Sequence, residues 1–329
     1  MGRFQFLTPI PSAKLYDAAV KSRFFVSLQI LVLVASASFA QTCLWGAAQE
    51  IGVLAEPALR EVSGLATSAL VPGRLYSVSD SGSPYFYVSD LQGAGLQQVR
   101  IGSLGNYARD LEDLAVGPCG GVSCLVVGNI GGNNSSRDRV EVIAVEEPSQ
   151  VPERVTPRYR HSLVYPDGPH YAEGLAVHPN GDLYILSKET VSPFGTAAAR
   201  LYRVRSAAWQ TETADPLPLR LVATLDLRAL SGSAFDLLSH MATSLDIAPD
   251  GSRFLVLTYN AAFEVSLDLS TLPDAPITHL RADSSFERIN VERLAQQEAV
   301  TYLRDGSRFI YTTESRRGGS PLFEAQCGE

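Results

Sequence analysis

Carboxylates recur at one place in a repeated pattern of this sequence, and that recurrence is where chemistry could reside. Glu61 stands ahead of Ser63-Gly64-Leu65, Glu112 and Asp113 (with Asp110) ahead of Leu114-Ala115, Glu173 ahead of Gly174-Leu175, and Glu298 ahead of Ala299-Val300. One further copy has Thr243 at the equivalent place, with Asp246 three residues on. A second set, Asp80, Asn129, Glu189 and Glu314, ends the β-rich run that follows four of the five copies. Carboxylates gathered around one axis repel unless a cation, a proton or a basic partner compensates. Oxygen-only ligands from separate loops suit Ca²⁺ or Mg²⁺ better than zinc. The candidate metal set is therefore Glu61, Asp80, Glu112, Asp113, Glu173 and Glu298, with calcium as the implied cofactor. The competing reading is that each acid caps a turn or pairs with an arginine such as Arg60 or Arg109. His170, three residues before Glu173, is a candidate base, and Glu173 with His170 forms the candidate catalytic pair; the other four histidines read as structural.

The elements that must position these acids are read from the repeat itself. Ala172 to Gly181 (AEGLAVHPNG) aligns with VSGLATSALVPG from Val62, LEDLAVGPCGG from Leu111, ATSLDIAPDG from Ala242 and QEAVTYLRDG from Gln297. Each copy ends in a turn and is followed by a β-rich run: RLYSVSD, CLVVGN, DLYILSKE, RFLVLTYN and RFIYTTES. Two strands in every unit, at a spacing of roughly 50 to 70 residues, signal radial repetition. The spacing predicts an all-β propeller of five four-stranded blades. The fourth blade is read to end on ITHLRAD (from Ile277), and the fifth shows only EAVTYL, RFIYTTE and PLFEAQC. Its missing outermost strand is supplied by Gln49 to Ala55 (QEIGVLA), which closes the ring without an exposed edge. Arg228 to Met241 reads as a helical insertion; six blades is the alternative if it hides a degenerate one. In a propeller the first strand of each blade lines the channel, so the acids at its start face one another.

A chain of 329 residues with 45% hydrophobic and 19% charged content excludes wholesale disorder. Residues 41–329 read as one propeller domain. Residues 1–40 read as a signal peptide region: Phe24 to Ala40 is apolar and then small, after Lys21 and Arg23, with a cut before Gln41 or an earlier one near Ala37. An uncleaved anchor is the alternative, at the short limit for a span. The protein is thus expected to be secreted or periplasmic and monomeric. Net charge is −8 overall; the first 40 residues hold four basic side chains against one acid, which leaves −11 on the rest and argues against nucleic acid. Four cysteines suit an oxidising compartment. Cys119 and Cys124 flank a short connection, while Cys43 and Cys327 sit at the two chain ends, and both pairs are expected to bridge. No nucleophile elbow, His-Glu-x-x-His, phosphate loop or Cys-x-x-Cys occurs.

Several short stretches carry a resemblance: Ser63-Gly64-Leu65-Ala66, Ser79-Asp80-Ser81-Gly82, Asp110 to Ala115, Gly128 to Asn133, Tyr165-Pro166-Asp167-Gly168 with Ala172 to Leu175, and Gln297-Glu298-Ala299. Together they resemble a family of secreted bacterial β-propellers, similar in turn to phytase-like (esterase-like) propellers and more remotely to calcium-dependent gluconolactonases. The resemblance implies a hydrolase acting on a phosphoester, ester or lactone with calcium held in the channel. Asn129 and Gly132 stand where that family has acids in Gly-Asp-Ile-Gly-Asp-Asn, so two of its ligand positions are lost here. The alternative function is a non-catalytic propeller that binds a small molecule or protein on its channel face.

Overall fold

The turn between the first and second strand of each repeat is set by a left-handed glycine. Gly73, Gly121, Gly181, Gly251 and Gly306 all have φ between 69° and 88°, a region open to glycine and strained for other residues. In three of these turns a side chain two residues back fixes the bend: Asn180, Asp250 and Asp305 accept the backbone N–H of Asp182, Ser252 and Ser307 at 2.8, 3.0 and 2.9 Å. With the chain reversed there, Val62–Thr67 pairs antiparallel with Arg74–Ser79, Leu111–Cys119 with Val122–Asn129, Ala172–Val177 with Leu183–Ser187, Ala242–Ile247 with Phe254–Thr258, and Gln297–Tyr302 with Arg308–Thr313.

The computed structural model describes residues 43–328, apart from 56–58, 60, 105–109, 133–136, 138, 190–197, 232–234, 282, 284 and 315–318. The expected signal region, Arg60, Arg109 and Asn133 lie outside the described residues. The five strand pairs grow outward into five sheets, the blades of an all-β, five-bladed propeller. Blade 1 adds Tyr85–Asp90 and Gln97–Ile101, blade 2 Val140–Glu146 and Pro157–Val164, blade 3 Ala199–Val204 and Arg220–Leu225, and blade 4 Ala262–Val265 and Phe286–Ile289. Blade 5 adds Ser320–Gly328, and its outer position is filled from the other end of the chain, by Gln49–Leu54 and Leu44–Trp45, both antiparallel to Ser320–Gly328. Cys43 and Cys327 are joined across this seam, and Cys119 is joined to Cys124.

The insertion is helical as expected, a short α-helix, Leu227–Ser231, and a 3₁₀ turn, Leu237–His240, and the blades number five rather than the alternative six. One expectation changes. ITHLRAD is not the outer strand of blade 4: Thr278–Leu280 pairs in parallel with Ala223 to Leu225 on blade 3, and Phe286–Ile289 takes the blade 4 position. The same detour occurs twice more, with Arg154–Val155 on the outer strand of blade 1 and Leu217–Pro218 on that of blade 2. In blades 2, 3 and 4 the link from third to fourth strand therefore reaches back and covers the edge of the preceding blade, which keeps that edge from pairing elsewhere.

The core consists of apolar layers between adjacent blades. Tyr76, Phe86 and Val88 of blade 1 meet Leu114, Leu125 and Val127 of blade 2, and an equivalent layer lies at each of the other four junctions, including the one where Leu54 and Leu322 of blade 5 meet Leu65 and Leu75 of blade 1. Burying one such side chain contributes about 1.5–3 kcal/mol. These layers clamp the innermost strands, which are buried on both faces over nearly their whole length. Among the described residues no helix is long and apolar enough to cross a membrane.

Candidate functional site

Each innermost strand carries the same irregularity at its start. Its register with the second strand slips after the first residue, so that Ser63, Glu112, Glu173, Thr243 and Glu298 are passed over in the ladder of blades 1 to 5. A bulge leaves its extra residue unpaired and re-aims the side chain. Ser63, Glu112, Glu173 and Glu298 line one cavity of about 140 Å³ at the channel mouth. The residue after each second strand forms a second ring, Asp80, Ile130, Lys188, Tyr259 and Glu314, and all but Ile130 line the same cavity. Glu61, Tyr171 and Gln296, which enter blades 1, 3 and 5, complete the wall. Glu61 and Gln296 hold left-handed backbone, with φ of 55° and 64°, a strained conformation that recurs at functional sites.

Six carboxylates thus share the mouth with one ammonium. Lys188 is buried and ion-paired to Glu173 Oε1. It donates to the Tyr259 hydroxyl at 2.5 Å and lies 4.4 Å from the Tyr259 ring centre and 5.1 Å from that of Tyr171. Tyr171 donates to the same oxygen of Glu173. Burial alone would lower the Lys188 pKa, but Glu173, Glu298 and Tyr259 override it and hold the pKa above the usual lysine range. The acids move the other way. Burial, followed by repulsion from Glu61 and Glu314, pushes Asp80 up to about 7. Burial and Glu173 push Glu298 up to about 9 against the pull of Lys188. Glu112 rises well above its ordinary value through burial and then Glu173 and Asp110, and Glu173 is raised by burial despite its lysine.

Glu61, Asp80 and Glu314 each bring a carboxylate oxygen within 4.8 Å of the other two. Asp80 Oδ1 and Glu173 Oε2 are buried without a hydrogen-bond partner. Orphaned buried oxygens are costly, and a set of carboxylate oxygens from different blades is the donor chemistry of a hard cation. The residues present therefore fit a calcium-type ion.

The structure brings together five of the six predicted ligands, Glu61, Asp80, Glu112, Glu173 and Glu298, in one cavity. Asp113 lies apart, fully buried on the axis. Its carboxylate accepts the N–H groups of Leu114 and Leu175, both at 2.9 Å, and the Ser244 hydroxyl at 3.1 Å, tying blade 2 to blades 3 and 4. His170 also lies outside the cavity, with Nε2 3.2 Å from Asp167 and Nδ1 3.5 Å from Glu189, edge-on to the Tyr165 ring. Glu189 belongs to that cluster: burial opposes its ionisation, yet hydrogen bonds from His170, Ser187 and Arg200 hold its carboxyl down to about 2. Asn129 accepts from the Asp110 N–H and from Arg137, both at 3.2 Å. Sequence reasoning missed Lys188, Tyr171, Tyr259 and Gln296. Lys188 and Tyr259 occupy the repeat position of Asp80 and Glu314, so aligning the ends of the second strands would have found them.

No protein-family model and no curated protein matches this chain. Among solved structures the chain is similar to the crystal structure of a nidogen/laminin complex, with 15% sequence identity over 77% of this chain and 72% of that chain, at a TM-score of 0.40.

Proposed function

We propose that the protein is exported, to the periplasm or beyond, and that its channel mouth takes up a divalent cation of the calcium type and through it an anionic group of a small ligand. Hydrolysis of a phosphoester, ester or lactone is the reaction this donor set supports. The observation that carries the reading is the convergence of Glu61, Asp80 and Glu314, with Asp80 Oδ1 itself and Glu173 Oε2 in the same cavity buried and unpartnered. The two disulfides support export. When bound, such an ion supplies Lewis-acid polarisation of a phosphoryl or carbonyl oxygen and acidifies water. The chain's own part is to hold the ion's ligands on blades 1 and 5, to store protons on Asp80 and Glu298 until an ion arrives, and to keep Lys188 and Tyr259 at the wall as donors toward an incoming oxygen.

The second reading, a binding propeller without turnover, has its own support: Glu173, the acid best placed as a base, is already held by Lys188 and Tyr171. A calcium titration followed by thermal unfolding, with a chelator control, tests the first step. Calcium at a hundred times its dissociation constant should add about 2.7 kcal/mol, and Asp80→Asn should remove most of that gain. A melting temperature indifferent to both calcium and chelator overturns the cation site. Calcium-dependent turnover of 4-nitrophenyl phosphate, 4-nitrophenyl acetate or a simple lactone selects the hydrolase; calcium binding without turnover of any of them selects the binding propeller.

A further inference from the structure

At the other end of the axis, where the innermost strands finish, the blades leave a second cavity of about 310 Å³. Val116, Val122, Val177, Pro179, Ile247 and Pro249 form an apolar patch of its wall on blades 2, 3 and 4, with Ser123 beside them and Thr67 and Thr301 on the side of blades 1 and 5. One deep carboxylate interrupts it. Asp246 accepts the N–H of Ile247 at 2.8 Å and that of Tyr302 at 2.7 Å, and burial pushes its carboxyl up to about 6. The residue nonetheless keeps accessible surface and lines the cavity, so that surface opens inward. Among the described residues no basic side chain lies within ion-pair distance of it; Arg304, exposed at the rim, acts on it only through longer-range attraction.

We propose that this cavity is a second ligand site, for a small organic ammonium with an apolar body: the ammonium meets Asp246 and the body packs on the valine, isoleucine and proline wall. Size, shape and sign all bear on this choice. Small-molecule sites run from about 300 to 1,000 Å³, mostly apolar with a few convergent polar groups, and this cavity falls at the lower end. A carboxylate beside an apolar patch, already given neutral donors by two backbone N–H groups and Thr301, gains more from an incoming cation than from a further neutral donor, since charge-assisted hydrogen bonds are roughly twice as strong. Arg304 is screened by the solvent around it. The two cavities share no lining residue, and the buried Asp113–Ser244 hydrogen bond belongs to neither, so this site does not depend on an ion at the acidic mouth.

The test is ligand-observed NMR titration of the full chain with benzylamine, benzyl alcohol and benzoate, in the presence of calcium and again with a chelator. Benzylamine should saturate one site in both conditions, and benzyl alcohol and benzoate should bind at least tenfold more weakly. Asp246→Asn should weaken benzylamine at least tenfold while leaving benzyl alcohol unchanged. Ala69→Trp, at an exposed position on the rim, should block benzylamine; because the acidic mouth also attracts ammonium groups, this variant identifies which cavity is filled. The proposal is overturned if benzylamine does not saturate, if benzyl alcohol or benzoate binds as well, or if Ala69→Trp leaves benzylamine binding intact. Should Asp246→Asn not fold, Ala69→Trp still decides. Loss of the calcium response with benzylamine binding retained would remove the reading of the acidic mouth and leave this one standing.

Discussion

At the mouth of the channel, protons, Lys188 and any added cation compete for the same negative charge. Asp80 and Glu298 keep their protons in the folded protein at pH values where the unfolded chain, with free carboxyls near about 4, has lost them. Their contribution to stability is therefore complete below that pH and is lost as pH rises through about 7 for Asp80 and about 9 for Glu298. Cation-free protein should melt at a lower temperature at pH 9 than at pH 5.5. Saturating calcium should flatten that slope, and calcium uptake at pH 6 should release protons, measurable by calorimetry in buffers of different ionisation enthalpy. A calcium-free profile that rises from pH 5.5 to 9 would contradict the charge arrangement. Lys188 is the other half of the balance. Removing one partner of a buried ion pair costs about 3–5 kcal/mol, so Lys188→Met should lower stability by that order in urea unfolding. Combining it with Glu173→Gln should cost less than the two changes added separately, because the second removes the charge that the first leaves bare.

The five bulges explain both what was legible in the sequence and what was not. Turn glycines, the pairs of strands around them and the borrowed N-terminal strand all follow from local chemistry, and the structure repeats them. Which acid of Leu111-Glu112-Asp113-Leu114 faces the mouth does not follow, because strand faces are assigned by counting in twos and a bulge slips the count by one. Glu112 consequently reaches the cavity while Asp113 turns into the axis, and in Ser187-Lys188-Glu189 the lysine faces the mouth in place of the glutamate. The edge strand Thr278–Leu280 was misplaced for another reason: three residues pairing in parallel carry no periodicity of their own. Two glycines next to the bulges let the inner strands approach. A Cβ on Gly174 would lie 2.8 Å from the Leu245 Cβ, and one on Gly64 would lie 2.7 Å from the Asp113 Cα. Gly64→Ala should therefore destabilise by about 1–3 kcal/mol through overpacking and weaken calcium binding by displacing Ser63 and its neighbours. Chemical unfolding and calcium titration of the variant would check both; a variant as stable as the parent would show that the blades are not locked at this contact.

For the molecule as a whole, the ring is closed by one strand order and one covalent link. Cys43 and Cys327 are 284 residues apart in sequence and Cys119 and Cys124 only 5. The chain-entropy account assigns more stabilisation to the longer loop, roughly 2–5 kcal/mol after native strain is allowed for, so Cys327→Ser should lower the unfolding midpoint more than Cys124→Ser. Equal losses would show that the clasp acts on the folded ring rather than on the unfolded chain. The clasp also bears on how the protein is made. Gln49–Leu54 leaves the ribosome ahead of all five inner strands, and its partner Ser320–Gly328 comes after them. At roughly 5–20 residues per second, a separation of 284 residues means a wait of about 15 to 60 seconds with a β-strand unpaired. Blades 1 to 4 can form in order as they emerge; blade 5 cannot be completed until the last strand has been synthesised. A chain cut short anywhere before Ser320 therefore keeps an open strand edge at its beginning, the kind of feature by which chaperones and proteases tell an unfinished product from a finished one.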